Sequence, residues 1–302
     1  MTVITRSAHP DLLWPGVMAI FGNSYNEYPP EWSQIFDKRQ GTKAYEKIVE
    51  TSGFGLAPVK TEGAPIQYDT DAQGLTTTFT PIVYGLGWMA TREEMEDGQY
   101  PEVSRRRSKA LGKSMRTTAE IVHANVFNRG FSGSYLGADG VSLFSTAHPT
   151  PAGNQANKAA VDADLTEASL EDALTTIAGA QDRRGLPIRL RGMKLVVASG
   201  AQFNAERILG SSLRSGTANN DVNAIKSMGL LPGGVVVNHY LTDPDAWFII
   251  TDADEGFLSI WRREVAIEQD NDFDTENAKA KATMRFATGY GDFRAGYGSA
   301  GA

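Results

Sequence analysis

Three carboxylates, Asp252, Asp254 and Glu255, stand together just before Gly256. Two carboxylates at that spacing could divide acid and base roles in glycoside hydrolysis. A polar β-turn also explains them, since Asp and Gly are turn formers. A second acidic group, Asp270-Asn271-Asp272-Phe273-Asp274, has the look of a calcium loop. An EF-hand needs glycine at its sixth position and a bidentate glutamate at its twelfth. Thr275 and Lys281 stand there, so a turn between strands is the simpler reading. The four histidines, His9, His123, His148 and His239, form no i, i+4 pair with an adjacent Glu, the pattern a helical zinc site would show. Gly112-Lys113-Ser114 imitates the end of a phosphate loop, but Arg107 occupies the first glycine position of that motif. Gly53-Phe54-Gly55 and Gly85-Leu86-Gly87 lack the third glycine of a dinucleotide fingerprint, and no G-x-S-x-G elbow is present. No cofactor is implied.

The strongest charge feature is a run of six cations, Arg105, Arg106, Arg107, Lys109, Lys113 and Arg116. It lies near the start of a helix, where the macrodipole disfavours positive charge. Glu93, Glu94, Glu96, Asp97 and Glu102 just upstream offer compensation. No aromatic residues interleave with the cations, so any nucleic-acid contact would be to phosphate and independent of sequence.

These groups are carried by an α+β chain. Residues 1–60 are turn-rich, with one short helix expected around Pro30–Phe36. Ile66, Tyr68 and Thr70 alternate with polar residues, and Leu75, Thr77 and Phe79 do so again, which predicts a hairpin over 64–84 turning at Ala72-Gln73-Gly74. A lone hairpin is marginal in water, so its apolar face needs a partner. Thr91-Arg92-Glu93-Glu94 is a capping-box pattern. Val103–Asn128 places Leu111, Met115, Ala119, Val122 and Val126 on one stripe, a helix about 39 Å long at the standard rise. A second helix follows Thr166 and is expected to end at Gly185 and Pro187, with a short helix from Ser199 to about Leu209. Strands are predicted at Met193–Ala198, Val235–Tyr240, Trp247–Thr251, Phe257–Trp261 and Lys279–Tyr290. There is no βαβ rhythm and no internal repeat.

The chain has 302 residues, no Cys and a formal net charge of −7. Absent cysteines exclude disulfides, thiolate metal sites and cysteine nucleophiles. The negative balance argues against a surface that binds nucleic acid throughout. Pro15 and Gly16 interrupt the one apolar stretch, Leu12–Gly22, so neither a membrane span nor a signal peptide is expected. A compact monomer of this mass would expose roughly 12,000 Å².

The C-terminal third resembles a known family. Ser215-Gly216-Thr217-Ala218-Asn219-Asn220-Asp221-Val222-Asn223, Leu241-Thr242-Asp243-Pro244-Asp245-Ala246-Trp247-Phe248, Trp261-Arg262-Arg263, the acidic turn at 270–275, Ala282-Thr283-Met284-Arg285-Phe286 and Gly291-Asp292-Phe293-Arg294 are similar to the major capsid (head) proteins of tailed bacteriophages, in the Mu-type group. Leu143-Phe144-Ser145-Thr146-Ala147-His148-Pro149 fits the same order. The resemblance implies the Hong Kong 97 capsid fold. It assigns an N-terminal arm to 1–55, an extended E-loop to 56–90, and a peripheral domain to 91–194 with its spine helix at 101–130. An axial domain at 195–260 and peripheral return strands at 261–302 complete the chain. It implies self-assembly into hexamers and pentamers of an icosahedral head enclosing double-stranded DNA, with no enzymatic role. The virion is the expected location, after assembly in the bacterial host cytoplasm. Portal, scaffold and decoration proteins, weak contact with packaged DNA and no membrane complete the expected partners. Ile66, Tyr68, Leu75 and Phe79 of the E-loop and Arg105, Arg106 and Arg107 of the spine are the expected interface residues. Lys60, placed at the loop base, is the one E-loop lysine, since no other lies before Lys109. An encapsulin-like shell holding enzyme cargo is the nearest alternative, and a hydrolase using Asp252 and Glu255 a remote one.

Overall fold

The computed structural model describes residues 10–96, 100–213, 221–272 and 275–302. Its frame is a helix laid across a sheet. Pro101 suits the first turn of α3, Tyr100–Asn128, and the apolar residues that follow at three- and four-residue steps give it one buried face. Leu111, Met115, Ala119, Ala124 and Phe127 are buried on that face. The sheet beneath has the order β1 (Asp37–Gln40), β10 (Phe257–Asn271), β11 (Ala278–Tyr290), β4 (Ile82–Ala90). The β1–β10 pair is parallel and the other two pairs are antiparallel. Period-two patterning turns Ala278, Ala280, Ala282, Met284 and Phe286 of β11 inward. The short helix α2, Arg92–Glu96, precedes α3, and its Glu94 N–H bonds the Thr91 hydroxyl as the capping pattern predicts.

A second sheet has the order β12 (Gly296–Ser299), β9 (Trp247–Thr251), β7 (Gly192–Ala198), β8 (Val235–Asn238). Here the apolar runs do not alternate because both faces are buried. Val196, Phe248 and Ile250 join the core under α3, while Leu195, Val197, Trp247 and Ile249 face α4 (Glu167–Ala178), α5 (Gln202–Gly210) and α6 (Ala224–Met228). Thr166 caps α4 as predicted, exchanging hydrogen bonds with Ser169. Two small ribbons remain: β2 (Glu46–Thr51) with β3 (Gln73–Phe79), and β5 (His148–Thr150) with β6 (Gly153–Gln155).

The core is organised around His123. Its ring lies between Trp32 (4.4 Å) and Phe286 (5.3 Å), with Trp261 stacked on Phe286 and Phe36 edge-on. Nδ1 donates to the Ala119 carbonyl at 2.6 Å, an acceptor that fixes the tautomer. Nε2 therefore accepts from the Ser259 hydroxyl at 2.7 Å, which itself accepts from Trp261 Nε1 at 2.8 Å. Helix and sheet are joined by this hydrogen-bonded line, and the turn around Trp32 by its stack on the His123 ring. Burial, aided by the Arg116 charge, pushes the His123 ring down to about 4. One turn earlier, the buried Glu120 carboxylate accepts the N–H groups of Glu31 and Trp32, both at 3.1 Å, and so starts the 3-10 turn Trp32–Gln34.

The structure corrects several expectations. The N-terminal segment is not turn-rich throughout: Pro10–Tyr25 is a helix, α1, that continues through Pro15-Gly16. Val17, Phe21 and Ser24 give it a buried stripe on α3, and this packing offsets the backbone bond that Pro15 removes. Gly112, in the sequence that imitates a phosphate loop, is where the two helices cross. A Cβ there would stand 2.9 Å from the Phe21 carbonyl oxygen. The hairpin does not turn at Ala72-Gly74. Gln73 and Gly74 lie within β3, whose partner is β2, and the intervening residues 52–72 form a long extended loop. Ile66–Thr70 has strand periodicity but pairs with no strand among the described residues. The α4 helix stops at Ala178 with Gly179 as its cap, well before Gly185. β10 continues ten residues past Trp261, paired with β11 as far as Asn271; the alternation stops short because Arg262, Arg263 and Glu264 sit on an exposed, bulged stretch.

Two outcomes are expected. Gly112→Val costs about 1–3 kcal/mol through the α1–α3 clash, read as a lowered urea midpoint. The unfolded His123 ring titrates near 6.5 and the native one near 4, so the unfolded chain takes up the proton first. Native stability therefore falls as pH drops from 6.5 towards 4, by on the order of 3 kcal/mol for this residue. Glu120, raised by burial, acts in the opposite sense. Melting temperature against pH for the protein and for His123→Phe isolates the histidine, whose contribution to the slope disappears in the variant.

Candidate assembly surface

The β2–β3 ribbon leaves the body at Phe79 and ends in the 52–72 loop. Asp69 organises the loop, accepting the N–H groups of Gly55 (2.7 Å) and Thr70 (2.8 Å) and the Arg184 guanidinium (2.6 Å). Those donors, the backbone pair first, hold its carboxyl down at about 2. Arg184 also donates to the Thr70 carbonyl, and its neighbour Arg183 reaches Glu50 on β2 at 2.6 Å. Gly185, at φ 85°, makes the tight turn that presents both arginines. The loop is thus clamped at its base to residues 182–186, while its far end stands clear. The far end turns at Thr61–Ala64, so Lys60 lies beside the tip and not at the base.

Five of the exposed residues of this loop are large and apolar. Ile66 and Tyr68, expected at an interface, are 66% and 92% exposed. Phe54, Leu56 and Val59 on the other limb are equally bare, at 67%, 81% and 93%. Sequence reading passed over these three because Gly and Pro interrupt their alternation. Leu75 is half-buried on β3. Phe79 is a correction: it is 4% exposed and packs on Leu258 and Ile260 of its own chain, where the ribbon enters the body. A side chain so placed has no surface left for a neighbour.

The cation run on α3 divides in two. Arg107 forms a two-pronged pair with Glu94 at 2.9 and 3.0 Å, donates to the Met89 carbonyl and lies over the Trp88 ring. Lys113 pairs with Glu27, and Arg116 with Glu120 and the Tyr28 carbonyl. Arg107, half-buried, is thus tied to its own chain, with upstream Glu94 neutralising it at the helix start. Arg105 and Arg106 point outward and are exposed.

Among the described residues, the chemistry-bearing groups of the sequence do not converge. Asp252 accepts the Arg191 N–H at 2.8 Å and Glu255 is paired with Arg39 at 2.6 Å, in an exposed turn between β9 and β10. His148 is buried between Asp139 (2.5 Å) and Asn157 (3.0 Å) and stacked on Phe293, and His239 binds Glu31 at the surface. Asn157 anchors this corner by donating to the carbonyls of Leu143, Phe293 and Gly296. His9, Phe273 and Asp274 lie outside the described residues. Among those described, no three His, Asp or Glu side chains gather to hold a metal. No described helix is long and apolar enough to cross a membrane.

A family profile described as phage capsid protein matches residues 74–299. The chain belongs to that family. Its fold agrees. The capsid of an empty GTA particle superposes with a TM-score of 0.55 at 12% identity, over 88% of each chain. A virus-like particle from Pyrococcus furiosus gives 0.54 at 8% identity, over 93% of this chain and 96% of the other. The capsid of Myoviridae phage XM1 gives 0.51 at 9% identity, over 89% of both. A comparison with curated proteins finds no sequence match. The capsid protein thus has the α+β, Hong Kong 97-type fold and is a structural major capsid protein.

The clamp generates a test. Arg184→Ala in the capsid protein is expected to change unfolding free energy by less than about 1 kcal/mol, because the pair is partly solvated. It is expected to raise the rate of tryptic cleavage after Lys60 roughly fivefold by loosening the loop base. Mass analysis of timed digests reads the rate; an unchanged rate would show the loop is held by other contacts.

Proposed function

We propose that this capsid protein is the repeating subunit of an icosahedral phage head, assembling as hexamers and pentamers around double-stranded DNA. The surface area carries the reading. The chain exposes 17,234 Å², against about 12,400 Å² for a compact monomer of its mass. The excess of roughly 5,000 Å² is of the size that obligate interfaces bury. Much of it lies on features that protrude from the body, the β2–β3 ribbon with its apolar loop among them.

In this reading the ribbon and the 52–72 loop are the E-loop, lying over a neighbour, with Ile66, Tyr68 and the Phe54–Val59 limb as contact residues. The arm, expected at 1–55, is shortened in this reading to the residues before the turn around Trp32, because β1 pairs in the main sheet and β2 in the ribbon; α3 is the spine of the peripheral domain, and the sheet of β7, β8, β9 and β12 with its helices is the axial domain. Arg105 and Arg106 meet an acidic neighbour or DNA phosphates without reading sequence. The subunit acts by burial at interfaces and has no catalytic role. It resides in the virion after assembly in the host cytoplasm, with portal, scaffold and decoration proteins as partners. Membership of a phage capsid family favours this reading over a cargo-holding shell.

Light scattering and negative-stain microscopy of the purified chain test it. Megadalton shells or capsomer-sized rings are expected, and replacement of 54–68 by a Gly-Ser linker is expected to abolish them. A 32.6 kDa monomer at every salt concentration would overturn the proposal.

A further inference from the structure

The sheet under α3 ends unequally. Its β1 edge is four residues long and carries Asp37, Lys38 and Arg39, charges that discourage pairing with another strand. Its β4 edge is nine residues long, IVYGLGWMA, with no charge and no proline. β4 pairs with β11 from Ile82 to Ala90 without a register shift, so no bulge turns the edge aside. Ile82, Val83, Leu86 and Met89 are each at least half exposed. No described strand lies on the outer side of β4, where Arg107 takes the Met89 carbonyl at the far end. In the second sheet, by contrast, the edge strand β12 is buried along its length.

The molecule also holds a strand pattern without a ladder. Ile66-Gln67-Tyr68-Asp69-Thr70 alternates, is extended and belongs to no sheet. We infer that the two complete each other between copies: the 65–72 limb of one subunit's loop adds as a further strand to the β4 edge of the next. Length agrees, since residues 65–72 and 82–88 each span about 25 Å at strand rise. Charge agrees as well. β4 is neutral, and Asp69, held by Gly55 and Arg184 on the loop's own side, brings no unpaired charge to the joint. The loop cannot serve its own β4. It leaves from the opposite end of β3, a strand of seven residues or about 23 Å, and the Arg184 clamp fixes its base there. Backbone bonds would supply the adhesion and Ile66 and Tyr68 the register, as in other strand additions.

This pairing rests on the shell reading above and names the surface that receives the loop. The absence of cysteine makes the test clean. Ile66→Cys or Tyr68→Cys is mixed with Val83→Cys or Leu86→Cys, co-assembled and mildly oxidised. A disulfide requires Cα atoms within about 7 Å. A disulfide-linked dimer is expected from at least one mixed pair and from no single variant. Leu86→Lys, at an exposed position, is expected to lower particle yield at least about tenfold with an unchanged melting temperature of the unassembled chain. Normal particles from that variant and no mixed disulfide would overturn the pairing and leave the shell standing. A dimer from Leu86→Cys alone would overturn it in favour of β4 pairing with β4. Failure of the parent chain to assemble would overturn both.

Discussion

The structure depends on one buried contact, the stack in which His123 lies between Trp32 and Phe286 with Trp261 beyond. It joins three stretches of chain far apart in sequence: the end of the N-terminal segment, the middle of α3 and the paired strands β10 and β11. The hydrogen-bonded line from Trp261 through Ser259 and His123 to Ala119 satisfies each polar atom it passes through. Such a network fixes orientation as well as adding energy, because a shifted partner would leave a buried donor unpaired. The position of α3 across the sheet is thereby set, and with it the direction in which β3 leaves the body.

From that frame the functional surface follows. β3 and β4 are nearly one continuous strand, divided at Thr80-Pro81, with β4 in the body's sheet and β3 in the protruding ribbon. The same strand thus presents an open edge at one end and carries an apolar loop at the other. The Arg183-Arg184 turn holds the loop at an angle to the body without burying it. A subunit built this way retains unfilled surface as a monomer, and the area it leaves open is what repetition in a shell would cover.

Electrostatics divides along the same line. Cations that face the chain, Arg107, Lys113, Arg116 and Arg294, have carboxylate partners and belong to the fold. Arg105 and Arg106 face outward. The run of six reads as one patch in the sequence, but a helix distributes adjacent residues around its axis, so neighbours in sequence serve different surfaces.

The sequence by itself determined what local periodicity controls: α3 with its apolar stripe, the Thr166 cap, β9, the strand over most of β11 and the α+β class. The resemblance carried by its scattered C-terminal motifs added the family, because their order along one chain is informative where each piece is not. What only the tertiary structure decided are the features whose stability is borrowed from distant residues. α1 continues through Pro15-Gly16 because α3 receives its Val17–Phe21–Ser24 stripe at Gly112. The ribbon pairs β3 with β2 because strand register is a long-range choice, and alternation in Ile66–Thr70 says only that a strand could form there. Phe79 turned inward and Ile66 outward although both alternate in the sequence, since period two marks two faces without saying which one the body will cover.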